Sequence, residues 1–146
     1  MIPTNEDYDD FEEEAEVDIE IETEPSYTYA MHFAEEEEND DKFVGMVDDT
    51  EAIKQAIIKI LSTERYEHEI YSWDYGAELQ DLIGQPIAYV MSEVKDRITE
   101  ALTADDRIET VDDFEIEQID RHTLHVSFTV TTAQQDEIEM DTEVNV

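Results

Sequence analysis

Acidic side chains are the most abundant groups in this sequence that could do chemistry. The chain has 43 Asp and Glu residues among its 146. Hydrolysis of a glycosidic bond needs two carboxyl groups about 5 to 10 Å apart, one of them in an apolar site that raises its pKa. Glu64, Glu67 and Glu69 lie among aromatic residues, but a surface cluster explains their spacing equally well. The acids therefore do not single out a catalytic pair.

Metal and nucleophilic sites have little support in the sequence. The four histidines, His32, His68, His122 and His125, do not show the HExxH spacing of a zinc helix. The absence of cysteine excludes thiolate ligands, cysteine catalysis and disulfide bonds. Three glycines leave little material for a phosphate loop, and the acidic runs lack the EF-hand pattern with its central glycine. We predict no cofactor, no metal site and no catalytic residue.

One short segment combines the residue types that anchor protein interfaces. Arginine and aromatic side chains are enriched at the energetic centres of such interfaces. A glycine after the last aromatic residue indicates a tight backbone turn. The candidate interface residues are Glu64, Arg65, Tyr66, Tyr71, Trp73, Asp74, Tyr75 and Gly76. The residues alone leave two alternatives open: a docking surface, or rings that close the core while Arg65 pairs with a local acid.

The net charge of −35 limits the partners of the chain. Twenty of the 43 acids lie in residues 1–50, against a single lysine. Such a surface repels a phosphate backbone or an anionic membrane, so we expect neither nucleic acid nor a membrane as partner. Two explanations of the acidity stay open: an acidic tail, or a protein kept soluble in high salt. The acidic N-terminus is unlike a secretory signal, which needs a basic start and an apolar run. The absence of cysteine fits a protein made in a reducing cytoplasm.

The first 26 residues form an acidic segment that differs from the rest of the chain. Val17, Ile19 and Ile21 alternate with acids, which is a weak strand pattern. We expect a disordered tail, with a strand that orders on a partner as the alternative. The sequence thus predicts an acidic tail at 1–26 and one domain at 27–146.

Periodic apolar residues predict the elements of that domain. Tyr27, Tyr29, Met31 and Phe33 alternate with other residues, which predicts a strand with one buried face. It begins a hairpin over residues 27–47 with an acidic tip at 34–41. Helical spacing predicts one helix from an N-cap at 48–50 to about residue 62, and another from Pro86 to about residue 104. Residues 63–79 are interpreted as an ordered, partly extended connection.

Beyond residue 104 the apolar period changes to two. This predicts a kinked strand at 108–116 and then a hairpin whose loop is 132–136. The last strand has acids at every second position, which discourages casual edge pairing but still permits a dedicated partner strand. The predicted fold class is α+β: two helices packed on a small, mainly antiparallel sheet.

The stretch from Glu51 to Leu79, EAIKQAIIKILSTERYEHEIYSWDYGAEL, resembles the baseplate proteins of Bacillus defective-prophage tails. The continuation DLIGQPIAYVMSEVKDRITEALTADDRIETVDDFEI and the strand HVSFTV look alike as well. That group belongs to the sheath initiators, baseplate wedge proteins of contractile phages, tailocins and type VI secretion systems. The resemblance covers residues 27–146 and combines the Thr-Glu-Arg signature, the aromatic-glycine turn and the Asp-Asp-Arg-Ile strand entry.

The resemblance implies a non-enzymatic subunit of a virion or phage-tail-like particle. Six copies would join the baseplate wedge proteins to the first ring of tail sheath protein, with tube or hub proteins as further neighbours. Glu64 and Arg65 match the Glu-Arg part of the family's docking motif. The motif also contains a proline, which this sequence lacks, and Trp73 and Asp74 stand near its place. The C-terminal hairpin would initiate the sheath by strand pairing. Its pairing residues would be Leu124, Val126, Phe128, Val130, Ile138, Met140 and Val144.

Two alternative functions belong to other classes. One is a tail-associated peptidoglycan glycosidase, since the resembled family was once labelled lysozyme-like. The other is an acidic regulator that mimics nucleic acid, in which residues 1–26 would do the binding.

Overall fold

The computed structural model describes residues 26–31 and 45–146. Within these ranges it contains two α-helices and two antiparallel sheets, which confirms the predicted α+β class. The small sheet pairs β1 (Thr28–Tyr29) with β2 (Met46–Val47). The large sheet has the strand order β3 (Ile108–Gln118), β4 (Thr123–Thr132), β5 (Glu137–Asn145). The predicted tip of the first hairpin and all but the last residue of the acidic tail lie outside the described residues.

The first hairpin differs from the prediction in the face that it buries. Its strands pair antiparallel as expected, with Tyr29 opposite Met46. The predicted burial is wrong at Tyr27 and Tyr29, which are 61% and 69% exposed. Met31 is half-buried, and Phe33 lies outside the described residues. The hairpin is held instead by the buried side-chain amide of Gln55, which accepts from the N–H of Met31 and donates to the carbonyl of Tyr29, both at 2.8 Å. This polar anchor leaves the aromatic side chains in solvent.

The first helix, α1 (Asp49–Leu61), begins and ends where the sequence predicts. The side chain of Asp48 caps it by accepting from the N–H of Asp49 at 2.8 Å. The backbone N–H of Ser62 closes the other end by donating to the carbonyl of Ile58 at 3.0 Å. The predicted apolar stripe faces inward, and Ile57 has no exposed surface. The helix therefore presents one apolar face to the rest of the domain.

The second helix, α2 (Ile87–Thr103), follows Pro86, whose fixed φ suits a helix start. It lies along β3, while α1 lies along β5. One core joins both helices to one face of the large sheet. Fully buried side chains at its centre include Ile57, Leu82, Val90, Val94, Ile98, Leu102, Leu124, Val126, Val130 and Ile138. In the part of the chain that the structure describes, no helix is long and apolar enough to span a membrane.

The two outer strands of the large sheet differ in regularity. β4 pairs with β5 in continuous register over nine residue pairs. β3 shifts its register against β4 twice, the second time between Asp112 and Glu115. Asp113 lies in this irregularity with a φ of 52°, a left-handed conformation typical of a bulge. The predicted kink in β3 is thus confirmed, and β5 is the straight edge of the sheet.

Candidate docking interface

Residues 63–79 form an ordered loop between the two helices. A parallel bridge between Glu64 and Ala77 closes its base. The N–H of Arg65 donates to the carbonyl of Ala77 at 3.2 Å, and the N–H of Ala77 donates to that of Thr63 at 2.9 Å. Residues 66–74 beyond this base are all exposed. The loop therefore has a fixed base and a solvent-exposed tip.

Gly76 permits the closure of the loop base. Its φ of 98° lies in the left-handed region that favours glycine. A Cβ atom at this position would lie 2.6 Å from the carbonyl oxygen of Thr63 and 3.1 Å from the nitrogen of Arg65. The backbone of the aromatic-glycine turn therefore requires a glycine at position 76.

Arg65 lies inside the loop and not on its surface. Its side chain is 7% exposed, and its terminal nitrogen donates to Glu100 Oε1 at 2.8 Å. Its Nε donates to the carbonyl of Gly76 at 3.2 Å, and the carboxylate of Glu78 lies 3.6 Å away. Burial acts to lower the pKa of Arg65, but the hydrogen bond and charge of Glu100 outweigh it and raise the pKa above its ordinary value. Arg65 thus ties the loop to α2.

Two residues of α2 that the sequence did not mark as functional support the same loop. The carboxylate of Glu100 accepts a hydrogen bond from Arg65, and Arg97 donates one to the backbone carbonyl of Glu78. The guanidinium of Arg97 also lies 3.8 Å from Glu93 and 3.9 Å from Asp81. Helical spacing places positions 97 and 100 on the polar side of α2, but it does not show that this side faces the loop.

The exposed tip of the loop carries large aromatic and apolar side chains among its acids. Ile70, Trp73 and Tyr66 expose 86%, 77% and 66% of their surface. Tyr71 stacks on Tyr75 with ring centroids 4.5 Å apart. We call Tyr66, Ile70, Tyr71 and Trp73 the aromatic patch. The sequence analysis did not include Ile70 among the interface residues. Its position outside any helical or strand pattern was the signal that could have identified it as an exposed apolar residue.

The other predicted interface residues differ in position. Glu64 is half-buried and its Oε2 accepts from the N–H of Gln80 at 3.3 Å. Asp74 is exposed, and a hydrogen bond from Ser72 lowers the pKa of its carboxyl. Burial raises the pKa of the half-buried Tyr75. Of the eight predicted residues, those at the loop base are buried or half-buried, and those at its tip are exposed.

The predicted strand-pairing residues lie on the core side of the large sheet. Six of the seven are buried and Met140 is half-buried. β4 has β3 on one side and β5 on the other, so its main chain is already paired within the sheet. Among the described residues, no strand pairs with the outer edge of β5. Pairing of that edge with a partner strand stays a prediction.

An ion pair fixes the turn from α2 to β3 beside the loop. Two nitrogens of Arg107 donate to the two carboxylate oxygens of Asp105 at 2.9 and 2.6 Å. Burial acts to raise the pKa of Asp105, but the hydrogen bonds from Arg107 outweigh it and hold the pKa below its usual value. Asp105 and Tyr75 line one cleft of about 240 Å³, so this turn adjoins the aromatic loop.

We expect Asp105→Asn to lower the free energy of unfolding at neutral pH by about 1 kcal/mol, since one charge-assisted hydrogen bond is lost from a partly solvated pair. The folded-state pKa of Asp105 is lowered, so its contribution is present above the unfolded pKa of about 3.9 and is lost as pH falls through the folded pKa. Urea unfolding of wild type and variant should thus differ at neutral pH and converge below about pH 4. Asp106→Asn, at an exposed neighbour, is the control. Equal losses in both variants would contradict the prediction.

Comparisons with known proteins each cover about 70% or more of the chain. A family model described as contractile injection system sheath initiator matches residues 27–135. The chain is 41% identical over 110 residues to the phage-like element PBSX protein XkdS of Bacillus subtilis (strain 168), which covers 73% of this chain and 74% of that protein. The fold of this chain is similar to that of a Geobacter sulfurreducens protein named as a tail lysozyme, with a TM-score of 0.58. The two chains are 19% identical, and the match covers 70% of this chain and 96% of the other. At 19% identity, this likeness shows a shared fold and carries nothing about function. The match to most of the chain shows that it belongs to the sheath initiator family of contractile injection systems.

Proposed function

We propose that this protein joins the baseplate wedge of a contractile tail to the first sheath ring and initiates sheath assembly by strand pairing. The observation that carries the proposal is the outer edge of β5, which continues a regular ladder and has no partner strand among the described residues. Membership of the sheath initiator family supports a role in a tail particle. The proposed subunit acts as structure and not as an enzyme.

The aromatic patch supports docking on wedge proteins. Exposed Trp and Tyr side chains commonly anchor interfaces, and a preorganised loop loses less entropy on binding. The base of the loop is preorganised by Gly76 and by the contacts of Arg65 with Gly76 and Glu100. In this proposal Arg65 contributes by holding the loop from inside, while Trp73 and Ile70 make the contact.

The edge of β5 supports sheath initiation better than the edge of β3. An incoming strand needs an uninterrupted row of backbone N–H and C=O groups. The bulge at Asp113 breaks that row on β3, and such bulges protect sheet edges from pairing. β5 keeps its register from Glu137 to Asn145 and offers a continuous edge.

The neighbours in the proposed particle are the wedge proteins, the tail sheath protein, and tube or hub proteins. Six copies would surround the tube, so each copy would offer one β5 edge to one sheath subunit. The two surfaces belong to different elements, the loop at 63–79 and the last strand of the sheet. One subunit could therefore hold both partners at once.

A chain extension tests the role of the β5 edge. After Val146, a two-residue turn and about eight alternating polar and apolar residues should fold back and occupy the outer edge of β5. We expect particles built with this variant to have baseplates but few or no sheaths, because the edge is already paired. An extension of equal length made of glycine and serine leaves the edge free and is the control. Electron microscopy of purified particles counts the sheaths.

The outcome against the proposal is also defined. Hydrogen exchange on the isolated variant first shows whether the added strand protects the amides of β5. If those amides are protected and sheaths still form in normal number, β5 does not initiate the sheath.

A further inference from the structure

We infer that the strand which adds to β5 carries basic side chains at every second position and apolar side chains between them. The inference rests on the proposed function, because it takes pairing at the β5 edge as given. It defines the chemical class of the partner segment, which must place its cations on the open face of the sheet and its apolar residues on the helix side.

The open face of the sheet is acidic at the β5 edge. Every second residue of β5 is an exposed acid: Glu137, Glu139, Asp141 and Glu143. Across from them on β4 lie Thr131, Thr129, Ser127 and His125. His125 is the one basic residue on the three strands of this face, and its Nε2 lies 3.4 Å from Asp141. Four acids at a spacing of two thus meet one histidine on the sheet, and Lys54 of α1 lines a cleft with two of them, Glu137 and Glu139.

A strand added to β5 brings its side chains directly beside these acids. Residues opposite one another on neighbouring strands have their Cβ atoms about 4.5 to 5.5 Å apart. Opposite charges at that distance stabilise the pair, and like charges destabilise it. A partner strand with Lys or Arg at every second position therefore neutralises the row, and one with acids there is repelled.

The helix side of β5 sets the other half of the pattern. Ile138 and Val144 are buried, but Met140 and Thr142 between them are only half-buried. A neighbouring strand would cover Met140 and Thr142 with the side chains that point to the helix side. Apolar residues at these positions bury surface, whereas charged ones would lose their solvation.

The same pattern explains why the edge should not pair with a second copy of this chain. Two β5 strands side by side would place one acidic row against another, which is unfavourable at every second position. Charged edges of this kind prevent unwanted strand addition. The acidic row of β5 thus disfavours pairing with a second copy of this chain and favours a basic partner strand.

Three synthetic peptides test the inference on the full chain. They share the same apolar residues at alternate positions and differ only in carrying Lys, Gln or Glu between them. NMR titration measures affinity, and hydrogen exchange of the β5 amides shows whether the peptide adds as a strand. We expect the Lys peptide to bind at least about tenfold tighter than the Glu peptide, with the difference falling as salt is added.

A pair of charge-reversal variants locates the selectivity. Glu139→Lys with Asp141→Lys should reverse the preference between the Lys and Glu peptides. The control reverses two acids of the same face on the bulged strand, Glu115→Lys with Glu117→Lys, and should keep the order of the peptides unchanged.

Each outcome decides between the inference and the proposed function. Equal protection of the β5 amides by all three peptides overturns the inferred basic pattern of the partner strand, but it is consistent with the proposed strand pairing. A Lys peptide that shifts β3 and β5 alike without protecting β5 amides shows adsorption to an acidic surface, which overturns the inference. If no peptide protects β5, strand pairing at this edge fails as well.

Discussion

Gly76→Ala is expected to lower the free energy of unfolding by about 2 to 4 kcal/mol. An alanine must adopt a φ near 98°, and its Cβ would lie 2.6 Å from the carbonyl oxygen of Thr63. The close atom belongs to the backbone, so the contact cannot be relieved by turning a side chain. Urea unfolding followed by circular dichroism measures the loss.

Gly84→Ala is the matched control for this prediction. Gly84 also has a left-handed φ, 82°, but no atom lies within 4 Å of the position that a Cβ would take. Its substitution should cost only the conformational strain, about 1 kcal/mol. If both variants lose the same stability, the close approach of Gly76 to Thr63 does not matter to the fold.

The consequence of Gly76→Ala should extend to the whole loop at 63–79. Relief of the contact requires the backbone at Gly76 and Thr63 to separate, which stretches the bridge between Ala77 and its partners. The carbonyl of Gly76 would then move away from the Nε of Arg65. We expect faster hydrogen exchange at Ala77 and weaker docking, because the aromatic patch loses its fixed base.

The elements of this fold follow from local patterns that the sequence displays directly. The helical stripe from Ile53, the cap at Asp48 and the alternation of β4 all correspond to elements of the structure. Such patterns report which residues share a face. They do not report which face is covered when both contain apolar atoms. For this reason the alternation predicts a buried face for Tyr27 and Tyr29, whereas the structure exposes both and anchors the hairpin through Gln55.

The candidate site was less accessible to sequence reasoning because it depends on tertiary contacts. Whether Arg65 points outward or inward is decided by Glu100, which is 35 residues away in the chain. The order of strands in the sheet is likewise invisible in the pattern of each strand. β4 shows the clearest alternation, yet it lies in the centre of the sheet, and the outer strand with a continuous register is β5. The resemblance supplied the functional class, and the structure separates the supporting residues from the exposed ones.

Ile70→Ser combined with Trp73→Ala is expected to remove the protein from assembled baseplates while its stability stays unchanged. Both side chains lie mostly in solvent, with 86% and 77% of their surface exposed, so the core loses nothing. As interface anchors they should contribute at least about 2 kcal/mol of binding free energy, which is about thirtyfold in affinity. Urea unfolding measures the stability, and immunoblotting of purified particles measures incorporation.

The control for the docking prediction is Tyr89→Ala, since Tyr89 is an exposed aromatic residue on α2 outside the loop. It should leave incorporation normal. Normal incorporation of the double variant would show that the aromatic patch does not dock, and equal loss in the control would show that any exposed ring matters. Gly76→Ala should lose stability and docking together, whereas the double variant should lose docking alone. This contrast separates the residues that hold the loop from those that meet the partner.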